Sequence, residues 1–342
     1  MDQPTPYDAV LVVSFGGPEG PDDVIPFLEN VLRGRNVPRE RMLAVAEHYQ
    51  QFGGVSPINA QNRSLIAALQ AELKRNGPQL PVYWGNRNWR PMLADTLQQM
   101  AADGVRRAIA YVTSAFSSYS SCRQYRENIA EAQRIVGPSA PVVEKLRPFF
   151  NHPAFIGLMT ENTQAAIQRF PAERRAAVQI VYTAHSIPKS MADQCAYAPQ
   201  LQSVARLISA AVGRTEATVV YQSRSGPPTQ PWLEPDICDY IRAQQAKTGL
   251  RELVVVPLGF MSDHMEVVYD LDTEARRVCD ELGVTMVRAA TAGDHPQLIR
   301  MIRDLIVERG SAAPERPTLG ELPPMPDICA LDCCPAPVRP AR

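Results

Sequence analysis

Short apolar runs, almost unbroken by polar residues, recur along this chain at 9–13, 82–84, 108–112, 178–183, 218–221, 253–256 and 285–287. A strand with one wet face alternates apolar and polar side chains. A strand covered on both faces does not, and that double cover marks parallel sheets. Helical patterns lie between the runs: in 62–74, Leu65, Ile66, Leu69 and Leu73 repeat near the 3.6-residue period, and 200–212 is patterned alike. Such alternation predicts an α/β fold built from right-handed βαβ units in a doubly wound parallel sheet.

The 342 residues exceed the ~100–200 expected of one domain. Gly104-Val-Arg-Arg-Ala-Ile-Ala echoes Gly249-Leu-Arg-Glu-Leu-Val-Val, each reading as a glycine-capped helix end followed by a buried strand. Two similar halves are therefore expected, 1–150 and 151–310, with a tail at 311–342. Lys+Arg is 35 against Asp+Glu 36, so no nucleic-acid partner is expected, because polyanion binders carry a basic excess. The apolar run 253–261 falls short of the ~20 residues that cross a bilayer, so no transmembrane segment is expected. Residues 1–7 are polar with two prolines and no apolar leader, which points to a cytoplasmic location.

Ligands of open α/β sheets sit beyond the carboxyl ends of strands, so the loops there are where chemistry is expected. The first is Ser14-Phe-Gly-Gly-Pro18, whose glycines let backbone approach a ligand, though it matches no phosphate-binding signature. Others are Gly53-Gly-Val-Ser-Pro-Ile58 and Gln222-Ser-Arg-Ser-Gly-Pro-Pro228. The run at 178–183 leads straight into Ala184-His185-Ser186, which puts a histidine at a strand end; the plain alternative is a histidine that caps the next turn. After 253–256, Ser262 reads as a helix N-cap. In that helix Glu266, Asp270 and Glu274 fall within about 80° of one another, with Asp263 on the same stripe. Carboxylates at i, i+4 repel, and a passing cation would relieve them. The alternative is a solvated face pairing with Arg276 and Arg277, which the apolar neighbours Val267, Val268 and Leu271 disfavour. Imidazole and carboxylates suit a divalent cation such as ferrous iron, handled in transit.

Of seven cysteines, Cys122, Cys195, Cys238 and Cys279 are scattered and read as small buried hydrophobes. Cys329, Cys333 and Cys334 crowd a tail in which 8 of 32 residues are proline. Such a segment packs no core of its own, so thiols gathered there suggest a soft metal or an iron–sulfur cluster with a further ligand from the body.

Ser14-Phe-Gly-Gly-Pro18, Gly54-Val-Ser56-Pro57, Val-Tyr-Thr-Ala-His185-Ser-Ile-Pro, Gln222-Ser-Arg-Ser-Gly-Pro, Pro-Trp232-Leu and Ser-Asp263-His264-Met-Glu266, in that order over about 7–308, resemble the ferrochelatases. The resemblance implies a chelatase-like pair of Rossmann-like doubly wound domains around a central cleft. It also implies insertion of Fe2+ into a porphyrin with release of two pyrrole protons. His185 and Glu266 match the family's catalytic pair, and His185, Glu266, Asp270 and Glu274 its metal path; the resemblance implies that Asp270 and Glu274 lie on a partly π-type helix and that Glu266 with Asp270 serves metal delivery or the proton exit. In this reading His185 accepts pyrrole protons or guides the metal, a neutral imidazole being a suitable base near pH 7. Trp84-Gly-Asn-Arg-Asn-Trp89 and Phe116-Ser-Ser-Tyr-Ser-Ser-Cys122 resemble actinobacterial members, which implies coproporphyrin III as substrate and coproheme as product. Arg33, Arg35, Tyr49 and Ser56 match the propionate side, and Phe15, Tyr119 and Trp232 extend the expected substrate contacts. Phe15 stands where other coproporphyrin enzymes have a ligating tyrosine, so axial ligation would fall to another group such as His185. Some members hold a [2Fe–2S] cluster on one internal and three tail cysteines. Here that implies Cys122, Cys329, Cys333 and Cys334, with Cys195 and Cys238 as alternative internal ligands. Transient contact with other heme-pathway enzymes is the partner expectation. Rival readings are a protoporphyrin IX ferrochelatase, a cobalt or nickel chelatase, a non-catalytic tetrapyrrole carrier and a solute-binding module.

Overall fold

A computed structural model describes residues 6–34, 37–226 and 229–336. Strands β1 (Ala9–Ser14), β2 (Val82–Asn86), β3 (Arg107–Val112) and β4 (Val142–Lys145) form one sheet in the order β2-β1-β3-β4. Strands β5 (Gln179–His185), β6 (Thr218–Gln222), β7 (Glu252–Val256) and β8 (Thr285–Arg288) form a second, in the order β6-β5-β7-β8. Every pairing within these sheets is parallel. The two halves share one topology, as the glycine-capped echo implies, and both are Rossmann-like. The first strand of each half is flanked by the two that follow it, which creates a switch point between β1 and β3 and another between β5 and β7.

All six residues of β1 and all five of β7 are buried, which accounts for their unbroken apolar sequence. Leu65, Leu69 and Leu73 turn inward from helix Ile58–Asn76, each such burial being worth ~1.5–3 kcal/mol over exposure. The expected set of strands omits β4. It is an edge strand, Val-Val-Glu-Lys, with Val142 exposed and Glu144 accepting a 2.7 Å hydrogen bond from Tyr7, so its sequence lacks the continuous apolar run of the buried strands.

One apolar cluster runs through both halves, joining Val10, Val12 and Leu69 to Tyr182, Val254 and Ile302. Helix Pro296–Gly310 packs on Ile58–Asn76 of the first half and on Pro153–Gln168 of the second. Its Glu308 takes both arms of Arg147, Nε–Oε1 2.6 Å and Nη2–Oε2 2.9 Å, in a pair whose side chains are 1% and 7% exposed. The tail then lies across both halves. Asn151 donates to the carbonyls of Leu322 and Pro323, and Arg126 to those of Cys329, Ala330 and Leu331. Among the described residues no helix is long and apolar enough to cross a membrane.

Candidate active site

His185 is the last residue of β5, beside the β5/β7 switch point. Across that point β7 leads into Pro257-Leu-Gly259, where the Gly259 amide donates to the Thr183 carbonyl at 2.9 Å. A Cβ on Gly259 would stand 2.7 Å from that of Ala184, so only glycine lets this loop lie against the strand carrying His185. The His185 ring bonds through Nδ1 to the Ser186 carbonyl at 2.5 Å. A carbonyl can only accept, so Nδ1 carries a hydrogen and Nε2 is the atom presented to the cleft. Nε2 lies 3.5 Å from Oε1 of Glu266.

The segment after Gly259 departs from the regular helix read from spacing and carries the π-type geometry that the resemblance implies. Its N-cap is His264, not Ser262: His264 Nδ1 accepts the Glu266 amide at 3.2 Å. Met265–Val268 and Arg276–Glu281 are α-helical, and between them Asp270–Ala275 is a π-turn in which the Glu274 amide reaches back to the Tyr269 carbonyl at 2.9 Å. Val267, Leu271 and Ala275 are buried on one side. Asp263 does not join the acidic stripe, since its carboxylate is bound by Arg288 on the other face. Arg276 donates to the Met286 carbonyl and Arg277 faces Glu281, so the solvated ion-pair face weighed for Glu274 does not form with them.

Charge is balanced unevenly along the stripe. Burial alone would hold the His185 imidazolium down, but the Glu266 carboxylate outweighs it and lifts the pKa to about 9. Burial would likewise raise Glu266, yet the imidazolium draws it down to about 2. Both directions favour the charged forms of this facing pair, and 31% and 43% of their side-chain surfaces stay open to the cleft. Asp270 behaves oppositely. Burial, reinforced by the negative charges of Glu266 and Glu274, pushes it up to about 7 despite a hydrogen bond from the Ser223 hydroxyl. Gln222 fixes the stripe's start by donating to the Glu266 carbonyl at 2.5 Å.

Helix Arg39–Gln50 of the first half closes the opposite wall. Its His48 stacks on Tyr269, 3.7 Å between centroids and 11° between planes. Its Tyr49 packs edge-on against Phe27, and burial followed by the charges of Glu266 and Asp270 keeps its phenol protonated. Phe15 meets the same Phe27 and lies under Arg87. Thus His185, Glu266, Asp270 and Tyr49 come together, with Glu274 one turn further along.

The other expected contacts are placed differently. Ser56 is 3% exposed and braces the first loop, its amide bonded to the Pro18 carbonyl at 2.9 Å. Arg33 is exposed and bonds Asn30 at 2.5 Å, and Arg35 lies outside the described residues. Tyr119 donates to Glu127 at 2.9 Å. Trp232 bridges to Pro188 and packs so tightly on Gly226 that a Cβ there would meet the indole at 2.3 Å. His48, Tyr269, Ser223 and Gln222 were not assigned from sequence. Only the position of Gln222 and Ser223 at a strand end signalled them.

The four cysteines of the expected cluster set gather at the tail. Cys122 shares a hydrogen bond with Cys329, Cys329 with Cys333, and Cys333 lies 3.5 Å from Cys334 through sulfur. Lys145 Nζ stands 3.2 Å from the Cys122 sulfur. That first hydrogen bond outweighs burial and, aided by Lys145, brings Cys122 down to about 5. A cavity of about 250 Å³ beside them is lined by Arg123, Arg126 and Lys145. As they stand, no three metal-ligating side chains among the described residues converge on one ion position. Cys279 is buried in the core as expected, and burial pushes Cys238 up to about 12.

The chain is 58% identical over 334 residues to a ferrochelatase of Rhodopirellula baltica, covering 98% of this chain and 95% of that protein. It is 50% identical to the coproporphyrin III ferrochelatase of Streptomyces griseus, with 98% and 95% covered, and 49% identical to that of Mycolicibacterium smegmatis, with 93% and 94% covered. In fold it is similar to SirB from Bacillus subtilis, at a TM-score of 0.54 and 12% identity over 89% of this chain and 95% of that one. The ferrochelatase family model matches residues 7–310, and the chain belongs to the ferrochelatase family, whose members are metal chelatases.

Proposed function

We propose that this chain inserts Fe2+ into coproporphyrin III, with His185, Glu266, Asp270 and Glu274 as its working residues. The observation that carries this reading is the facing of His185 Nε2 and Glu266 Oε1 at 3.5 Å, at the head of a half-buried acidic stripe. Two pyrrole N–H bonds break and four iron–nitrogen bonds form, so the site must receive a dication and dispose of two protons. Glu274, Asp270 and Glu266 offer the cation successive carboxylates. A cation at Glu266 cancels the charge that keeps His185 protonated, so the imidazole loses its proton as iron arrives. Nδ1 keeps its hydrogen on Ser186, which leaves the Nε2 lone pair facing the cleft to take a pyrrole proton. Asp270, balanced near neutrality, accepts and releases protons with little driving force either way.

The coproporphyrin assignment draws on the relatives so named. Protoporphyrin IX is the alternative, because the Rhodopirellula relative is named only as a ferrochelatase. Anaerobic Fe2+ insertion into both porphyrins in parallel decides between them: faster coproheme formation supports the proposal, and preference for protoporphyrin overturns it. Of the expected substrate contacts, Tyr49, Phe15 and Trp232 are our choice for the macrocycle, and Arg33 and Arg35 for its propionates. We assign 1–150 and 151–310 as the two domains and 311–342 as a cluster-bearing tail.

The tail thiols suit a [2Fe–2S] cluster held by Cys122, Cys329, Cys333 and Cys334. All are soft donors, Cys122 lies toward the thiolate form, and Arg309 joins Arg123, Arg126 and Lys145 in lining the adjacent cavity. When bound, the cluster supplies one-electron redox chemistry or structural support to the tail. Iron and sulfide content tests it: Cys122→Ser loses both, whereas retention of both would move the internal ligand to Cys195 or Cys238.

A further inference from the structure

The acidic stripe works only if its carboxylates point into one cleft, and a straight helix does not keep them there. At 3.6 residues per turn, side chains four apart drift by ~40° per step, so Glu266, Asp270 and Glu274 would fan out. A π-turn rotates less per residue and cancels part of that drift. It is also an intrinsically poor helix geometry, so something must hold it.

Arg288, at the end of β8, occupies that role. Its guanidinium bonds Asp272 through Nε at 2.7 Å and Nη2 at 2.9 Å, and Asp263 through Nη1 at 3.1 Å and Nη2 at 3.2 Å. Its remaining reach goes to the Ala289 carbonyl at 3.4 Å. One planar fork thus grips two carboxylates bidentately, and its side chain is only 16% exposed. Thr291 adds a 3.0 Å bond to Asp263, and the Asp263 amide donates to Gln61 of the other half at 2.8 Å. The two gripped aspartates bracket 264–271, the stretch that carries His264, Glu266 and Asp270, and Asp272 itself lies within the π-turn. The fork faces away from the stripe, toward a separate cavity of about 840 Å³ that Asp263, Asp272, Arg276 and Arg288 help to line.

We propose that Arg288 is a positioning residue for iron handling: by clamping Asp263 and Asp272 to β8 it holds the π-turn in register, so that Glu266, Asp270 and Glu274 face one cleft. The inference rests on the reading of those carboxylates as the iron path. Lysine cannot replace the clamp, since an ammonium cannot bind two carboxylates bidentately.

The test compares Arg288→Met, Arg288→Lys and Asp272→Asn in the full chain, by amide hydrogen exchange over 265–275, KM for Fe2+ and porphyrin affinity from fluorescence quenching. Outer-shell partners of metal-handling groups typically matter by ~10–100-fold. Arg288→Met should therefore speed exchange in 265–275 and raise the Fe2+ KM about tenfold or more, with porphyrin affinity held within about twofold. Arg288→Lys should fall between it and the parent. Asp272→Asn should move the same readouts in the same direction, and it carries the test alone if Arg288→Met does not fold. Unchanged exchange and unchanged Fe2+ KM overturn the proposal, as does an equal loss of porphyrin affinity. Asp270→Asn run in parallel separates the two layers. If it leaves the Fe2+ KM unchanged, the iron-path reading fails, and the clamp is judged on exchange alone.

Discussion

Replacing Glu266 with glutamine tests the electrostatics of the site at one atom. The carboxylate lifts His185 from an ordinary 6.5 to about 9, against the opposing pull of burial. Glutamine removes that charge and leaves the burial, the Ser186 hydrogen bond and the Asp270 charge, so the His185 midpoint should fall. Glu266 is 43% exposed, so solvent screens part of the interaction, and a drop of at least ~1 unit is the discounted expectation. The chain has five histidines, few enough to follow individually by NMR with ring-labelled histidine, the His185 resonance being assigned by its loss in His185→Ala. The parent should titrate above pH 8 and Glu266→Gln at least ~1 unit lower. The same pair sets a stability window. The raised His185 pKa contributes fully below pH 6.5 and is lost as pH climbs through about 9, while the lowered Glu266 pKa contributes above 4.5 and is lost as pH falls through about 2. Stabilisation from the pair should therefore peak between pH 4.5 and 6.5. A parent His185 that titrates at 6.5 or lower, or one that Glu266→Gln leaves unmoved, refutes the reasoning.

Two further outcomes follow from other parts of the molecule. Asp270 has a folded pKa raised to about 7, so its charge costs stability increasingly as pH rises from 3.8 through 7; Asp270→Asn should raise Tm at pH 8, have little effect at pH 4, and slow iron insertion. Glu308→Gln breaks the buried Arg147 pair and should cost ~3–5 kcal/mol in chemical denaturation, because it strands a guanidinium that is 1% exposed.

Much of this architecture was legible in the chain because burial on both faces leaves a mark. The runs 9–13, 108–112 and 253–256 within β1, β3 and β7 are apolar throughout, and His185 stands out because it ends β5, whose residues 180–184 are buried. Edge strand β4 left no such mark, since Glu144 and Lys145 serve partners outside the sheet. The acidic stripe was visible by its spacing, but a fixed 100° period cannot register a π-turn, and so it assigned Asp263 to the wrong face. Nor can it see a clamp between Arg288 and residues 16 and 25 positions earlier. The charge favoured at His185 is not legible in the sequence for a related reason. Its pKa depends on Glu266, 81 residues away in sequence and 3.5 Å away in space.

Replacing His185 with alanine tests the central claim most directly, with coproporphyrin III binding and anaerobic Fe2+ insertion measured on the same preparation. The account predicts that porphyrin binding survives nearly unchanged while insertion falls by ~10²–10⁴-fold, the usual worth of a positioned acid–base group. Insertion at the parental rate, or loss of binding in step with loss of insertion, would contradict it.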